Sequence, residues 1–364
     1  MLYKNEHPKI TEEKNNKTFL ILIWKFYKAL AARHILRYSD FWHDPLSGCS
    51  VTNCIFTGRD EAMNFADAVV VHLHRGQLPS QENRSPRQKW IFLNDESPHG
   101  VFTLAHTKNI TRLRLEHLHN VFNWSMMYRS NSDVPVPYGR TVALKEPRYS
   151  FPDPPIANLV PHWRRKRSLV AIVMSNCALK YRQNIIANIR KYIEVDFYGS
   201  CGDENLKGVC PGHYGQDCEI LGTYLFYFAL EGARCKEYIT EKVFHHAYYK
   251  GAIPIIQGPS IQDCETFLPP NSYLHLDNYI NLKDLAEDII KISGDLNELL
   301  KYHKWRNHFQ VLNEHGYSGT RSYHFCRVCE AMNYNDDNKS IYGEQKIRKF
   351  LGTKMSCRKY DIHK

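Results

Sequence analysis

The chain has 364 residues, 43% hydrophobic and 24% charged, the composition of a globular protein with room for two domains that each bury a core. Forty-eight Lys and Arg against 38 Asp and Glu leave a net charge of +10, which suits an anionic ligand. A membrane-spanning helix is excluded from the sequence given: the longest apolar run near its start is Phe19 to Trp24, far short of the ~20 residues required.

Residues 1–18 are charged and expected to be loose. Phe19–Trp24 follows this polar leader and reads as a first buried strand, not a signal peptide. Ala68–His72 and Trp90–Leu93 read as further strands of an α/β domain, with a turn and a helical stretch between Cys49 and Asp67. Prolines crowd residues 132–161, which predicts an irregular connector. The basic run Trp163-Arg164-Arg165-Lys166-Arg167 stands alone with one aromatic, so it reads as an exposed linker and no nucleic-acid partner is expected. Leu169–Met174 is continuously apolar, the pattern of a strand buried on both faces, and the domain boundary is placed near residue 165. Then follow a helix over Gln183–Tyr192, a strand over Val195–Tyr198, a cysteine-rich loop, a strand over Tyr224–Ala229, a helix after Thr240, a strand over Ala252–Ile256, and amphipathic helices over 281–291 and 295–309. This alternation predicts a mostly parallel sheet. The expected division is therefore 19–165 for the first domain, 166–332 for the second, and a polar, partly ordered tail over 333–364.

Eleven cysteines leave at least one thiol unpaired. A lone Cys326-x-x-Cys329 lacks the second half-site a zinc centre needs, and it follows the last helical segment where a redox pair would sit early. Structural disulfides in an oxidising compartment are expected, with Cys326 and Cys329 bridged back to Cys49 and Cys54 in preference to the alternative Cys326–Cys329, which would close only a tiny strained ring. Sequons at Asn16, Asn83, Asn109, Asn123 and Asn338 are compatible with secretion.

The densest functional signal is Tyr238-Ile239-Thr240-Glu241-Lys242 followed by Gly251-Ala252-Ile253-Pro254-Ile255-Ile256-Gln257-Gly258-Pro259-Ser260. A helix start carrying a lysine is an anion site, because free N–H groups and a point charge converge there. Loop, helix, apolar strand and Gly-Pro stop form the repeating unit of a nucleotide-binding α/β sheet. Earlier, Asn94-Asp95-Glu96-Ser97-Pro98 places a carboxylate at the C-terminal end of a strand, where it is a candidate general base. Val173, Ser175 and Asn176 end the first strand of the second domain, and Arg182 follows on a helix with a rigid fork of donors for a diphosphate.

The Tyr238–Ser260 run resembles the donor-binding motif of the α1,3-fucosyltransferases. Phe122-Asn123-Trp124-Ser125, Tyr128-Arg129, Ser132-Asp133 and Val136-Pro137-Tyr138-Gly139 extend the resemblance, which covers roughly residues 19 to 332. It implies a GT-B architecture, two Rossmann-like domains facing each other across a cleft. It implies transfer of L-fucose from GDP-fucose, with inversion, to the 3-hydroxyl of an N-acetylglucosamine on a glycan. Carried over, Glu96 would deprotonate the acceptor, and Arg182 and Lys242 would meet the diphosphate. Tyr138, Val173, Ser175, Asn176, Tyr227, Tyr238 and Glu241 would line the donor pocket. No metal or other cofactor is expected, since two cations cover the leaving group and no Asp-x-Asp element is present. Golgi residence through an N-terminal anchor is implied by the family, and that anchor is missing from this sequence. One departure stands out: Leu230-Glu231-Gly232-Ala233 replaces the family's usual Phe-Glu-Asn-Ser, so a donor-binding asparagine amide is absent at Gly232. That leaves a second reading, a catalytically weakened binding protein of the same fold.

Overall fold

The computed structural model describes residues 17–25, 44–73, 77–82, 84–99, 114–151, 154–212, 215–335 and 341–358. The first half forms strands β1 (Phe19–Ile23), β2 (Cys54–Thr57), β3 (Ala68–His72), β4 (Lys89–Asn94), β5 (Trp124–Met127), β6 (Val134–Pro135) and β7 (Gly139–Ala143). The second contributes β8 (Ser168–Val173), β9 (Asp196–Tyr198), β10 (Tyr224–Leu230), β11 (Arg234–Cys235), β12 (Ile253–Gln257), β13 (Leu274–His275), β14 (Phe309–Asn313) and β15 (Cys357–Arg358). The helices that matter below are α1 (Lys180–Ile189), α2 (Lys242–Tyr249, wound as a π-helix), α3 (Ile261–Phe267), α4 (Leu282–Gly294), α5 (Leu296–Lys301), α6 (His324–Tyr334) and α7 (Glu344–Leu351).

Two parallel sheets result, ordered β2-β1-β3-β4-β5-β6 and β13-β12-β10-β8-β9. Parallel pairing goes with strands that are largely apolar and buried throughout: all of Ala68–His72, Lys89–Asn94 and Ile253–Gln257 are buried, as a sheet covered on both faces requires, with polar residues only at their ends. The pleat then sorts alternate residues. In β10, Phe226 and Phe228 join Ile185, Ile189 and Ile289 of α1 and α4 in one core. Tyr227 and Ala229, on the opposite face, share a second core with Val69, Val71, Trp90 and Phe92 of the first sheet. That shared core holds the two sheets against each other.

Capping and glycine geometry set the ends of the elements. Asn281 accepts from Asp284 N (3.0 Å) to start α4, and Ser260 from Asp263 N (3.0 Å) to start α3. Gly258, at φ +135°, lets β12 end against Glu231; a Cβ there would lie 2.5 Å from the Glu231 Cβ.

The structure departs from the sequence reading in four places. Cys54–Thr57 is an edge strand, whereas a turn and helix were expected over that stretch; a three-to-ten turn follows at Asp60–Asn64. The helix expected over 295–309 stops at Lys301, because Phe309–Asn313 leaves to pair antiparallel with β7. The chain then returns to the first sheet, where Phe325, Val328, Cys329 and Met332 of α6 pack on Ile21, Ala68, Val70 and Ile91. The tail is also more than a polar extension: Ile347, Phe350 and Leu351 of α7 and the preceding Tyr342 are buried. Their spacing puts them on one helical face, and the exposed charges between them hid it in the sequence.

Ten cysteines pair as Cys49–Cys326, Cys54–Cys329, Cys177–Cys201, Cys210–Cys218 and Cys235–Cys357. Cys264 stays a buried thiol, its ionisation pushed up by burial. The two expected bridges therefore tie α6 to the first sheet. Among the sequons, Asn123 is corrected: it is buried, with its Oδ1 accepting from Trp90 N (2.9 Å) and from Arg84, so the folded chain presents no amide there. Asn16, Asn83, Asn109 and Asn338 lie outside the described residues.

Candidate functional site

A pocket of about 320 Å³ opens beyond the C-terminal ends of strands from both sheets. From the first sheet it takes Glu96, which follows β4, and Tyr138, which follows β6. From the second it takes Val173, Ser175 and Asn176 at the end of β8, Arg182 on α1, and Tyr238, Glu241 and Lys242 around the start of α2. Side chains far apart in sequence converge here because parallel strands deliver their C-terminal loops to one edge.

Local structure holds each group in place. The loop after β8 is clamped by the Cys177–Cys201 disulfide and by Ser200 Oγ donating to Ser175 O (3.0 Å). Arg182 is buried and donates to Leu230 O and Asn176 O, both at 3.3 Å. Lys242 Nζ lies 3.1 Å from Glu231 Oε2, 3.1 Å from Glu241 Oε1 and 2.9 Å from Thr240 Oγ1. Burial opposes its charge, but the two carboxylates outweigh burial and hold the ammonium above its ordinary range. Glu231 is fully buried and also accepts from Thr240 N (2.9 Å), so it anchors the lysine from beneath.

Glu96 is shifted the other way. Burial, then the neighbouring Asp95 charge, push its carboxyl up to about 7. Lys242 and a 3.2 Å hydrogen bond from Tyr238 Oη to Oε2 pull back only in part. The site thus holds one carboxyl that titrates near neutrality beside a permanent cation. Asp95 itself turns away from the pocket, with Oδ1 at 3.3 Å from His72 Nε2 and Oδ2 at 3.5 Å from His315 Nε2. Tyr138 donates its hydroxyl to Asp95 O and stacks on His315 with ring centres 3.9 Å apart, which fixes the loop bearing Glu96. Among the described residues, Asp95, His315 and His324 form one group with donor atoms close enough to hold a metal ion. That group is buried behind the pocket and does not line it.

Tyr227 is the one expected lining residue that the structure moves elsewhere. It lies in the middle of β10, not at its end, and is fully buried; its hydroxyl meets Val173 N (3.3 Å) and His246 Nδ1 (3.0 Å). His246 takes its place in the lining and stays neutral, since burial lowers its basicity to about 3. The sequence carried a signal for it: His246 is four residues beyond Lys242, on the same side of the helix. Tyr317 and Ser318 also line the pocket, brought back by the loop after β14, and no local pattern pointed to them. Gly232 borders the pocket with Leu179 Cδ1 3.8 Å from where its Cβ would lie, so the absent side chain leaves open space.

Comparison with known proteins places this geometry. The family description "Glycosyltransferase family 10 (fucosyltransferase) C-term" matches residues 163–348, and "Fucosyltransferase, N-terminal" matches residues 15–139. Alpha-(1,3)-fucosyltransferase 4 of Mus musculus is 31% identical across 73% of the chain, which spans only 56% of that protein. The 4-galactosyl-N-acetylglucosaminide 3-alpha-L-fucosyltransferase of Pongo pygmaeus is 33% identical, covering 76% of this chain and 70% of its own. A crystal structure of an alpha1,3-fucosyltransferase with GDP-fucose superposes with a TM-score of 0.54 over 92% of this chain and 95% of that one, at 15% identity, so it shares the fold.

Proposed function

Because the chain belongs to the glycosyltransferase family 10 fucosyltransferases, we propose that it transfers L-fucose from GDP-fucose, with inversion, to the 3-hydroxyl of an N-acetylglucosamine in a glycoprotein or glycolipid glycan. One observation carries this reading: a carboxyl poised at about 7 shares a 320 Å³ pocket with Arg182 and with a lysine held charged. In a single displacement, ionised Glu96 takes the proton of the acceptor hydroxyl as its oxygen bonds to the anomeric carbon. The bond from that carbon to the diphosphate oxygen breaks, and the electron pair leaves onto GDP. Arg182 and Lys242 stabilise the charge that develops there, in a site where they need not reorganise. Tyr138, Val173, Ser175, Asn176, Tyr238 and Glu241 bound the donor, and Tyr227 acts from behind by orienting His246.

Two cations on the leaving group make a divalent ion unnecessary, so transfer should persist in excess EDTA. Loss of activity in chelator, restored by added metal, would refute that part. The five disulfides support an oxidising compartment, which we take to be the Golgi lumen. Among the described residues no helix is long and apolar enough to cross a membrane. The deciding experiment is a glycan array with labelled GDP-fucose, which should mark N-acetylglucosamine-bearing glycans and separate an N-glycan core from a lactosamine antenna. GDP-fucose binding without transfer to any glycan would overturn the proposal in favour of a binding protein.

A further inference from the structure

The basic run Trp163–Arg167 plays no part in the reaction above. Its Trp163, Arg164 and Arg165 border an open cleft of about 820 Å³ at the far end of α2: Lys242 begins that helix in the donor pocket, and Tyr248 and Tyr249 end it in the cleft. Arg148, Arg164, Arg165 and Arg306 line the cleft, and among the described residues no carboxylate does. Arg306 is only 6% exposed, yet its guanidinium donates to neutral groups, Nε to His303 Nδ1 (3.2 Å) and Nη2 to Tyr248 O (2.9 Å). Lys166, which lies behind the lining and is 7% exposed, donates to two carbonyls, Tyr224 O (2.6 Å) and Lys250 O (2.8 Å). Burial lowers both groups, Arg306 to about 9 and Lys166 to about 7; Tyr248 opposes the shift at Arg306, and nearby cations add to it at both. The carboxylates of this region, Asp217 and Glu219, are taken up by Lys250, with Arg165 at 3.7 Å from Glu219.

Arg306 remains charged at neutral pH, and among the described residues no carboxylate meets its buried guanidinium; that is unfavourable, and a negatively charged ligand would relieve it. The walls add a second requirement. Trp305 is buried under the Arg306 guanidinium (4.4 Å) and holds it in place, while Tyr249 is half-exposed at the rim and Trp163 is partly exposed in the lining. Aromatic faces pack against the C–H faces of sugar rings, and arginine forks match the oxygens of a sulfate ester in the way they match phosphate. The charge is gathered in one concavity of a size that holds a few rings, not spread along the stripe that a nucleic-acid backbone needs. We propose that this cleft is a second carbohydrate site, separate from the donor pocket, that binds a sulfated oligosaccharide of the glycosaminoglycan type.

The test is fluorescence anisotropy of the full chain with a labelled heparin hexasaccharide at fixed ionic strength. The exposed double variant Arg148→Ser/Arg164→Ser should weaken binding at least tenfold while leaving fucosyl transfer and thermal midpoint unchanged. Arg306→Met should abolish binding; if it fails to fold, the surface pair decides alone. Wild-type failure to bind, equal binding by the surface double variant, or equal binding of the desulfated hexasaccharide would each overturn the site. Equal competition by single-stranded DNA of the same charge would overturn its assignment to a sulfated sugar.

Discussion

Glu96→Gln replaces the carboxylate by an amide of the same shape, so it isolates the proton-accepting role. Two quantities follow from the geometry. General-base catalysis contributes about 10²–10⁴-fold, so transfer should fall by at least ~10²-fold while GDP-fucose binding stays nearly intact. The wild-type pH profile carries the second. With its carboxyl at about 7, Glu96 is roughly one-tenth ionised at pH 6 and nine-tenths at pH 8. The kcat/KM should therefore rise about tenfold between those values, and the residual activity of the variant should lose that limb. Stability should move oppositely. A carboxyl raised from 4.5 to about 7 on folding leaves stability intact below 4.5, and erodes it as pH rises through 7. At pH 8 the penalty is at most about 3 kcal/mol, and Glu96→Gln removes it. The assays are GDP release with a lactosamine acceptor from pH 5.5 to 8.5 and thermal unfolding at pH 5 and 8. A wild-type profile flat from pH 6 to 8, or a variant retaining more than a tenth of wild-type turnover, would remove Glu96 from this role.

Lys242→Met strands the fully buried Glu231 carboxylate, which should cost about 3–5 kcal/mol in urea unfolding and ~10²-fold or more in turnover. Adding Glu231→Gln should recover most of the stability and none of the turnover; recovery of both would make Lys242 structural only. Gly232→Asn has room for its side chain, with Leu179 as its nearest neighbour at 3.8 Å, and should lower the donor KM by roughly 2–10-fold, the value of one hydrogen bond. A raised KM would show that the open space at Gly232 serves the donor directly. Non-reducing peptide mapping should recover Cys49–Cys326 and Cys54–Cys329, with Cys264 alkylated only after unfolding. With Cys54–Cys329 left intact, loss of Cys49–Cys326 opens only the short loop between the two bridges and should cost about 2–3 kcal/mol on chain entropy, so a Cys326→Ser variant as stable as wild type would refute a structural role.

Local chemistry made much of this protein legible from its residues. Runs such as Leu169–Met174 and Ala252–Ile256 read as buried strands because a parallel sheet needs apolar side chains on both faces, a demand each strand meets within its own few residues. Glu96 and Lys242 could be singled out because strand ends and helix starts are local events with recognisable punctuation. Tertiary structure alone decided the rest. Whether Tyr227 or His246 reaches the pocket depends on where a side chain sits along its element relative to the sheet edge. Tyr317 and Ser318 arrive only because β14 pairs with β7 and the following loop is carried back across the cleft. The burial of Arg306 and Lys166 with no carboxylate partner among the described residues is likewise set by how distant segments pack. Contacts of this kind join residues tens to hundreds of positions apart, and their geometry is fixed by the path of the folded chain, not by the preferences of any short stretch of it.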